Sequence, residues 1–402
     1  MAGRRLRRPS TERVLAAPVN FDFVDDQAGL REVIDALVAE PRYAIDTEFH
    51  RERTYFPKLA LVQVAWGDPL QIALLDPVVT SVHDLAEVFE GAGIAVLHAA
   101  AQDLEVLEIA CGTVPAKFFD TQVAAGFVGL GLPSLSELHE RELGTSLPKG
   151  DRLTDWLNRP LDDDQLAYAA SDVSDLLVLH ERLVAELDKR GRLAWVEAEC
   201  ALARQRARTL REPEEAWSRL REVRQLKGRA LGVARELAAW RERRAARLDL
   251  PTRYVLPDLA VASVAQRAPT TEADLAKVRG VEDRFLRGGA AAEMLAAVRD
   301  GIDRPPSEAA PSPAKGEVPR ELRAAVSLLS AWVAQRARDL AIDPSLLATR
   351  ADLEDLLRDD PEARLLQGWR ADSVGSQIRE LLAGQAVLAF DGKGGLVLEA
   401  RR

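Results

Sequence analysis

Three short stretches set acidic side chains into apolar surroundings, and they constrain this chain more than any other feature of it. They are Ile45-Asp46-Thr47-Glu48-Phe49, His98-Ala-Ala-Ala-Gln102-Asp103-Leu104 and Tyr168-Ala169-Ala170-Ser171-Asp172. A carboxylate beside an apolar run is on its way into a protein interior, where it needs a partner. No matching set of lysines or arginines accompanies the three stretches. Four acids (Asp46, Glu48, Asp103 and Asp172) drawn into one pocket would repel one another unless divalent cations held them. Hard cations in an all-oxygen site are suited to cleaving phosphodiesters.

Local pattern favours convergence. Tyr43–Glu48 has the character of a strand, so Asp46 and Glu48, two apart, share a face. Ile94–His98 is a second short apolar strand, and Asp103 falls in the first turn of the helix after it. The segment Asp162–Leu187 is strongly helical, and Tyr168 and Asp172, four apart, lie one above the other on it. Taken singly, each stretch reads more simply as a solvated carboxylate or a helix cap. The three in this order point to a site.

The stretches together resemble the 3′→5′ exonuclease superfamily defined by four acids, in its tyrosine-containing branch, and within that branch the ribonuclease D family. The resemblance runs through Asp46-Thr-Glu-Phe-His-Arg-Glu-Arg-Thr-Tyr-Phe-Pro-Lys-Leu-Ala-Leu-Val-Gln63, through His98–Val106, and through Lys149 with Thr154-Asp-Trp-Leu-Asn-Arg-Pro-Leu161 ahead of the third stretch. It covers about residues 20–300 and weakens beyond. It implies a ribonuclease H-like α/β domain, a mixed sheet flanked by helices, followed by helical modules of the helicase-and-ribonuclease-D C-terminal (HRDC) type. It also implies two magnesium or manganese ions per site. Asp46 would bridge them, Glu48 and Asp172 would hold the one that activates water, and Asp103 would hold the other. Tyr168 would orient the water.

Other candidates are less constrained. His50 follows the first stretch and could meet substrate. Lys149 fits a phosphate contact or a solvated loop lysine. His98, at a strand end, is a substrate contact or a structural histidine. Asp162-Asp163-Asp164 is expected to begin a helix, where acids complement the macrodipole. Gly129-Leu-Gly131 is too little for a phosphate loop.

Length and charge organise the rest. The chain has 402 residues and a net charge of −10, unexpected for a nucleic-acid enzyme. The charge is unevenly spread. Residues 1–200 hold 19 Lys and Arg against 34 Asp and Glu, a balance of −15; residues 201–300 hold 21 against 14, a balance of +7; residues 301–402 hold 14 against 16, a balance of −2. The acid surplus lies where metal is expected, and the basic surplus where an RNA-binding module would be useful.

The expected division is a basic, disordered arm at 1–18, the exonuclease domain at 19–208, an HRDC domain at 209–301, a Pro-rich linker at 302–316 and a diverged second HRDC copy at 317–402. The last two all-α domains are related by an internal echo: Ser330-Ala331-Trp332 repeats Ala238-Ala239-Trp240, and Asp352-Leu353 repeats Asp258-Leu259. Cys111 and Cys200 have no metal-ligand spacing, which suggests free thiols in a reducing cytoplasm. No stretch is apolar enough to span a membrane, and the basic N-terminus lacks the apolar core of a signal peptide. The activity expected is that of a monomeric 3′→5′ exoribonuclease acting on tRNA precursors or other structured RNA and releasing 5′-mononucleotides. A DNA exonuclease and a nucleic-acid-binding scaffold with a silent site are the alternatives.

Overall fold

The computed structural model describes residues 19–148, 154–208, 212–223, 225–303 and 320–401. The described residues form two compact units. One comprises the chain up to Glu48, Leu59–Arg208 and the chain from Arg320 on; the other comprises Phe49–Lys58 and the described part of Thr209–Pro319.

The first unit is built on a six-stranded sheet. Its elements begin β1 (Asp22–Val24), α1 (Gln27–Ala39), β2 (Arg42–His50), β3 (Lys58–Trp66) and β4 (Gln71–Leu75). They continue with α2 (Ala86–Phe89), β5 (Ile94–Leu97), α3 (Ala101–Cys111), β6 (Phe118–Asp120) and α4 (Thr121–Phe127), then α5 (Leu135–Glu142), α6 (Asp163–Ser174), α7 (Leu176–Lys189) and α8 (Leu193–Arg208). Strand order is β1-β4-β3-β2-β5-β6. β3 and β4 are antiparallel, with Val62 opposite Leu75. β2 and β5, β5 and β6, and β1 and β4 are parallel. Ala60–Trp66 is continuously buried, as expected of a central strand covered on both faces. The mixed sheet flanked by helices is the expected fold, with two differences in detail. β1 was not anticipated, since only one of its residues, Val24, is buried and no apolar run marks it. The single helix expected over Asp162–Leu187 is two, broken at Asp175 (φ −114°, ψ 3°). There the Ser174 hydroxyl donates to the Ser171 carbonyl and to the Asp175 carboxylate, the kind of local bonding that competes with a helix.

The second unit is helical: α9 (Gly228–Leu248), α10 (Thr252–Val255), α11 (Asp258–Arg267), α12 (Glu272–Leu275) and α13 (Ala290–Asp303). Leu237, Leu256, Val261, Leu275, Met294 and Val298 form its core. The basic surplus is not all on its surface. Arg241 is buried and donates to the Leu256 carbonyl and the Asp258 carboxylate. The segment Phe49–Lys58 belongs here. The Tyr55 hydroxyl donates to Glu242 at 2.8 Å, and the Tyr55 and Phe56 amides donate to Asp249.

The C-terminal part returns to the first unit: α14 (Arg323–Leu340), α15 (Pro344–Leu347), α16 (Arg350–Leu357), α17 (Gly368–Arg370), a π-helical turn (Ala371–Gly375) and α18 (Ser376–Leu382). It ends in a two-stranded antiparallel hairpin, β7 (Ala386–Phe390) and β8 (Leu396–Ala400), so this copy is not all-α. The internal echo has structural counterparts. Trp240 of α9 donates to Glu293 of α13, and Trp332 of α14 donates to Gln377 of α18. Each long helix ends in a left-handed residue at the same spacing after its tryptophan, Asp249 (φ 48°) and Ala341 (φ 49°).

Packing therefore divides the chain differently from the sequence-based boundaries in two places, at 49–58 and at the C-terminal copy. The Trp369 ring stacks on Trp195 of α8 at 4.8 Å and meets the edge of Phe127 at 5.1 Å. At this contact a Cβ on Gly126 would lie 2.6 Å from a Leu346 methyl, so that side chain would have to shift. The expected arm at 1–18 and linker residues 304–316 lie outside the described residues, and residues 302 and 303 complete α13.

Candidate active site

β2 enters the core as Tyr43-Ala44-Ile45, all fully buried, and then presents Asp46, Thr47 and Glu48. Strand alternation turns Asp46 and Glu48 to one face. α6 brings Asp172, 8% exposed. Its N-terminus is fixed by a reciprocal capping box in which Asp162 accepts from the Gln165 amide and the Gln165 side chain accepts from the Asp162 amide. One carboxylate oxygen from each of Asp46, Glu48 and Asp172 lies within 4.8 Å of the others.

Asp103 reaches the same region by a different device. Asp120, at the end of β6, accepts the amides of Ala99 and Ala100 and those of Gln122 and Val123. It thus caps α4 and also clamps the turn in which Ala99 takes φ 58°. α3 starts from that turn with Asp103 in its first turn, 7% exposed. Asp103 lies outside the three-carboxylate group. Its oxygen accepts the Thr47 hydroxyl at 2.6 Å, yet its charge acts on both Asp46 and Glu48. Sequence reasoning missed Thr47 and Asp120. The available signal for Asp120 was an acid directly before a helical run, an N-cap pattern.

The electrostatics follow from burial without cations. Desolvation, then the charges of Asp103, Asp172 and Glu48, push Asp46 well above the usual carboxylate range. Burial, then Asp172 and Asp103, raise Glu48 to about 8. Burial raises Asp172 to about 7 against the opposing Tyr168 hydrogen bond, and raises Asp103 to about 6 against its bond from Thr47. Among the described residues no lysine or arginine pairs with any of the four. An all-oxygen, uncompensated carboxylate set fits a hard divalent cation.

Tyr168 lies one turn before Asp172, half-buried, with its hydroxyl close enough to the Asp172 carboxylate for each to act on the other's pKa. Burial and the three neighbouring carboxylates raise its pKa, so the phenol stays protonated. The Trp156 ring faces it at 6.2 Å and a 35° tilt.

The remaining candidates separate. His98 is held within the fold: Nε2 bonds the Pro133 carbonyl at 3.1 Å, and Nδ1 bonds the Thr121 hydroxyl at 2.9 Å, a hydroxyl that itself donates to the Leu97 carbonyl. Burial lowers its pKa. Both ring nitrogens thus have partners within the fold, which supports the structural of the two expected readings. His50 is half-buried at the end of β2. Lys149 lies outside the described residues. No helix among the described residues is long and apolar enough to cross a membrane.

Fold and site together define an exonuclease of the four-acid class, and the comparisons agree. A 3′-5′ exonuclease family profile matches residues 21–188, and an HRDC domain profile matches 230–298. The ribonuclease D of Gluconacetobacter diazotrophicus is 37% identical over 93% of this chain and 95% of its own length. That of Acidiphilium cryptum is 35% identical over 92% and 95%. The crystal structure of Escherichia coli RNase D, an exoribonuclease involved in structured RNA processing, is 29% identical with a TM-score of 0.82, covering 91% of this chain and 99% of that one. This chain belongs to the ribonuclease D family, and with it to the 3′→5′ exoribonucleases, hydrolases of phosphodiester bonds.

Proposed function

We propose that this enzyme removes nucleotides one at a time from the 3′ ends of RNA, tRNA precursors or other structured RNA, and releases 5′-mononucleotides. The observation that carries the reading is the convergence of Asp46, Glu48 and Asp172 within 4.8 Å, with no cationic partner among the described residues. Two divalent cations, magnesium or manganese, would supply charge neutralisation at the scissile phosphate and a nucleophile at neutral pH. Asp46 would hold both, Glu48 and Asp172 one, and Asp103 the other. Tyr168, kept protonated by its surroundings, orients the attacking water through its hydroxyl without ionising.

The division of labour follows the charge. Residues 19–208 carry out hydrolysis. The helical module at 209–301 grips RNA with the arginines left over after Arg241 and Arg244 are committed to internal ion pairs. The copy at 317–402 supports the catalytic domain. His50 and Lys149 are assigned to substrate contact. The protein works as a cytoplasmic monomer.

The test is digestion of matched end-labelled RNA and DNA with and without magnesium. Stepwise shortening of the RNA that stops in excess chelator is expected. Preference for DNA would make it a DNA exonuclease, and binding without cleavage under any divalent ion would leave a scaffold with a silent site.

A further inference from the structure

The run Thr154-Asp-Trp-Leu-Asn-Arg-Pro-Leu161 does no chemistry in the proposed reaction, yet its geometry is closely specified. Arg159 uses all five of its N–H groups. Nε donates to Asp76 Oδ2 at 2.6 Å and Nη2 to Asp76 Oδ1 at 2.7 Å. Nη2 also donates to the Ala60 carbonyl of β3, and Nη1 to the carbonyls of Trp156 and Asn158. Asp76, just past β4, is 2% exposed and accepts the Val78 amide as well. A bidentate, fully satisfied guanidinium pins this loop to two central strands of the sheet. It grips Trp156 directly by its carbonyl, and the indole of Trp156 is the aromatic ring that faces Tyr168, among the described residues.

We propose that Arg159, locked on Asp76, is a positioning residue for hydrolysis: it fixes Trp156 as the wall that orients Tyr168. The tyrosine is half-buried, and its hydroxyl must lie along α6 to meet Asp172. Without the indole its ring gains an open side and rotamers that leave the carboxylate. A lysine at 159 would keep the charge but, as a point donor, could not reproduce the fork. This proposal rests on the assignment of Tyr168 to the water.

A double-mutant cycle in the full chain, read by single-turnover release of nucleotide from a 3′-labelled unstructured oligoribonucleotide with magnesium, tests it. Arg159→Lys should slow the chemical step on the order of 10²-fold, the cost of a small misplacement, with RNA affinity unchanged. Trp156→Leu, which leaves the buried ion pair alone, should do the same and serves if Arg159→Lys does not fold. In a Tyr168→Phe background neither should add more than about twofold, since a group acting through the hydroxyl has nothing left to position. Equal losses in both backgrounds, or wild-type rates for Trp156→Leu, would overturn the clamp alone. A wild-type rate for Tyr168→Phe would remove the tyrosine from the reaction, and this proposal with it.

Discussion

Glu199 of α8 is where the C-terminal part is held, and replacing it makes a quantitative test of how this unit is built. Its carboxylate accepts both terminal nitrogens of Arg370, one from Arg364 at 3.2 Å and the Trp369 indole N–H at 3.1 Å. The Arg370 side chain is 4% exposed and that of Glu199 11%. Burial alone would raise the Glu199 pKa. The Arg370 guanidinium, the indole and Arg364 outweigh it and hold the carboxyl below its ordinary range. Glu199→Ala leaves Arg370 without its ion pair; among the described residues it keeps the Leu346 carbonyl, the face of the Trp369 ring and a longer-range attraction to Asp352. Breaking such a pair from one side costs about 3–5 kcal/mol. Arg364 retains Asp352 and adds little.

Urea denaturation followed by tryptophan fluorescence is the natural assay, because the stacked Trp195 and Trp369 rings sit at this contact. The transition that reports them should shift by about 3–5 kcal/mol. Glu199→Leu combined with Arg370→Met should recover most of the loss, because removing both partners of a buried pair is often neutral or stabilising. A loss under about 1 kcal/mol for Glu199→Ala, the range of exposed pairs, would refute the buried-hub reasoning. So would a double variant as unstable as the single one.

Asp46→Asn and Asp172→Asn should each abolish nucleotide release while raising the melting temperature of the metal-free protein, since each removes one of the repelling acids; a metal-free melting curve beside the activity assay checks both. In the metal-free protein the site acids bind more protons folded than unfolded, because their folded pKa values are raised. Stability should therefore fall as pH rises from about 4 to 8, through the values near 6, 7 and 8 for Asp103, Asp172 and Glu48. Thermal melts across that range, with and without magnesium, should show the metal's stabilisation growing with pH. Replacing the exposed Arg267, Arg279 and Arg287 with alanine should weaken binding of single-stranded RNA and flatten its log–log salt dependence by about 0.7 for each phosphate that is no longer neutralised; an unchanged slope would place the grip elsewhere.

The sequence made the elements that carry the candidate site legible because their signals are local. Asp46 and Glu48 in a strand, Asp103 in a first helical turn and Tyr168 four before Asp172 are all spacings within one element. The tryptophan echo was readable for the same reason. What stayed hidden is what non-local partners decide. Nothing near Asp120 says that it also clamps the turn before Asp103, and nothing near Asp76 names Arg159 as its partner. His98 looked available to substrate because Thr121 and Pro133 are 23 and 35 residues away in sequence. The break at Asp175 coincides with the Ser174 hydroxyl bonding to the Ser171 carbonyl and the Asp175 carboxylate, local bonds that propensity weighs too lightly.

The buried acids of the first unit fall into two kinds, and the contrast separates scaffold from site. Asp76 has a bidentate arginine, Asp120 four amides, and Glu199 two arginines and an indole. Each is satisfied within the fold, so each contributes to a fixed geometry. Asp46, Glu48 and Asp172 have one another, a phenol and no cation among the described residues. A chain can carry such a cluster only if the surrounding structure bears its repulsion. The satisfied acids stand where that support is needed: Asp120 at the turn that places Asp103, and Asp76 beneath the loop that faces Tyr168. The unsatisfied acids hold a binding capacity that protein groups leave unused, and a hard divalent cation is the ligand whose charge and oxygen preference fit it.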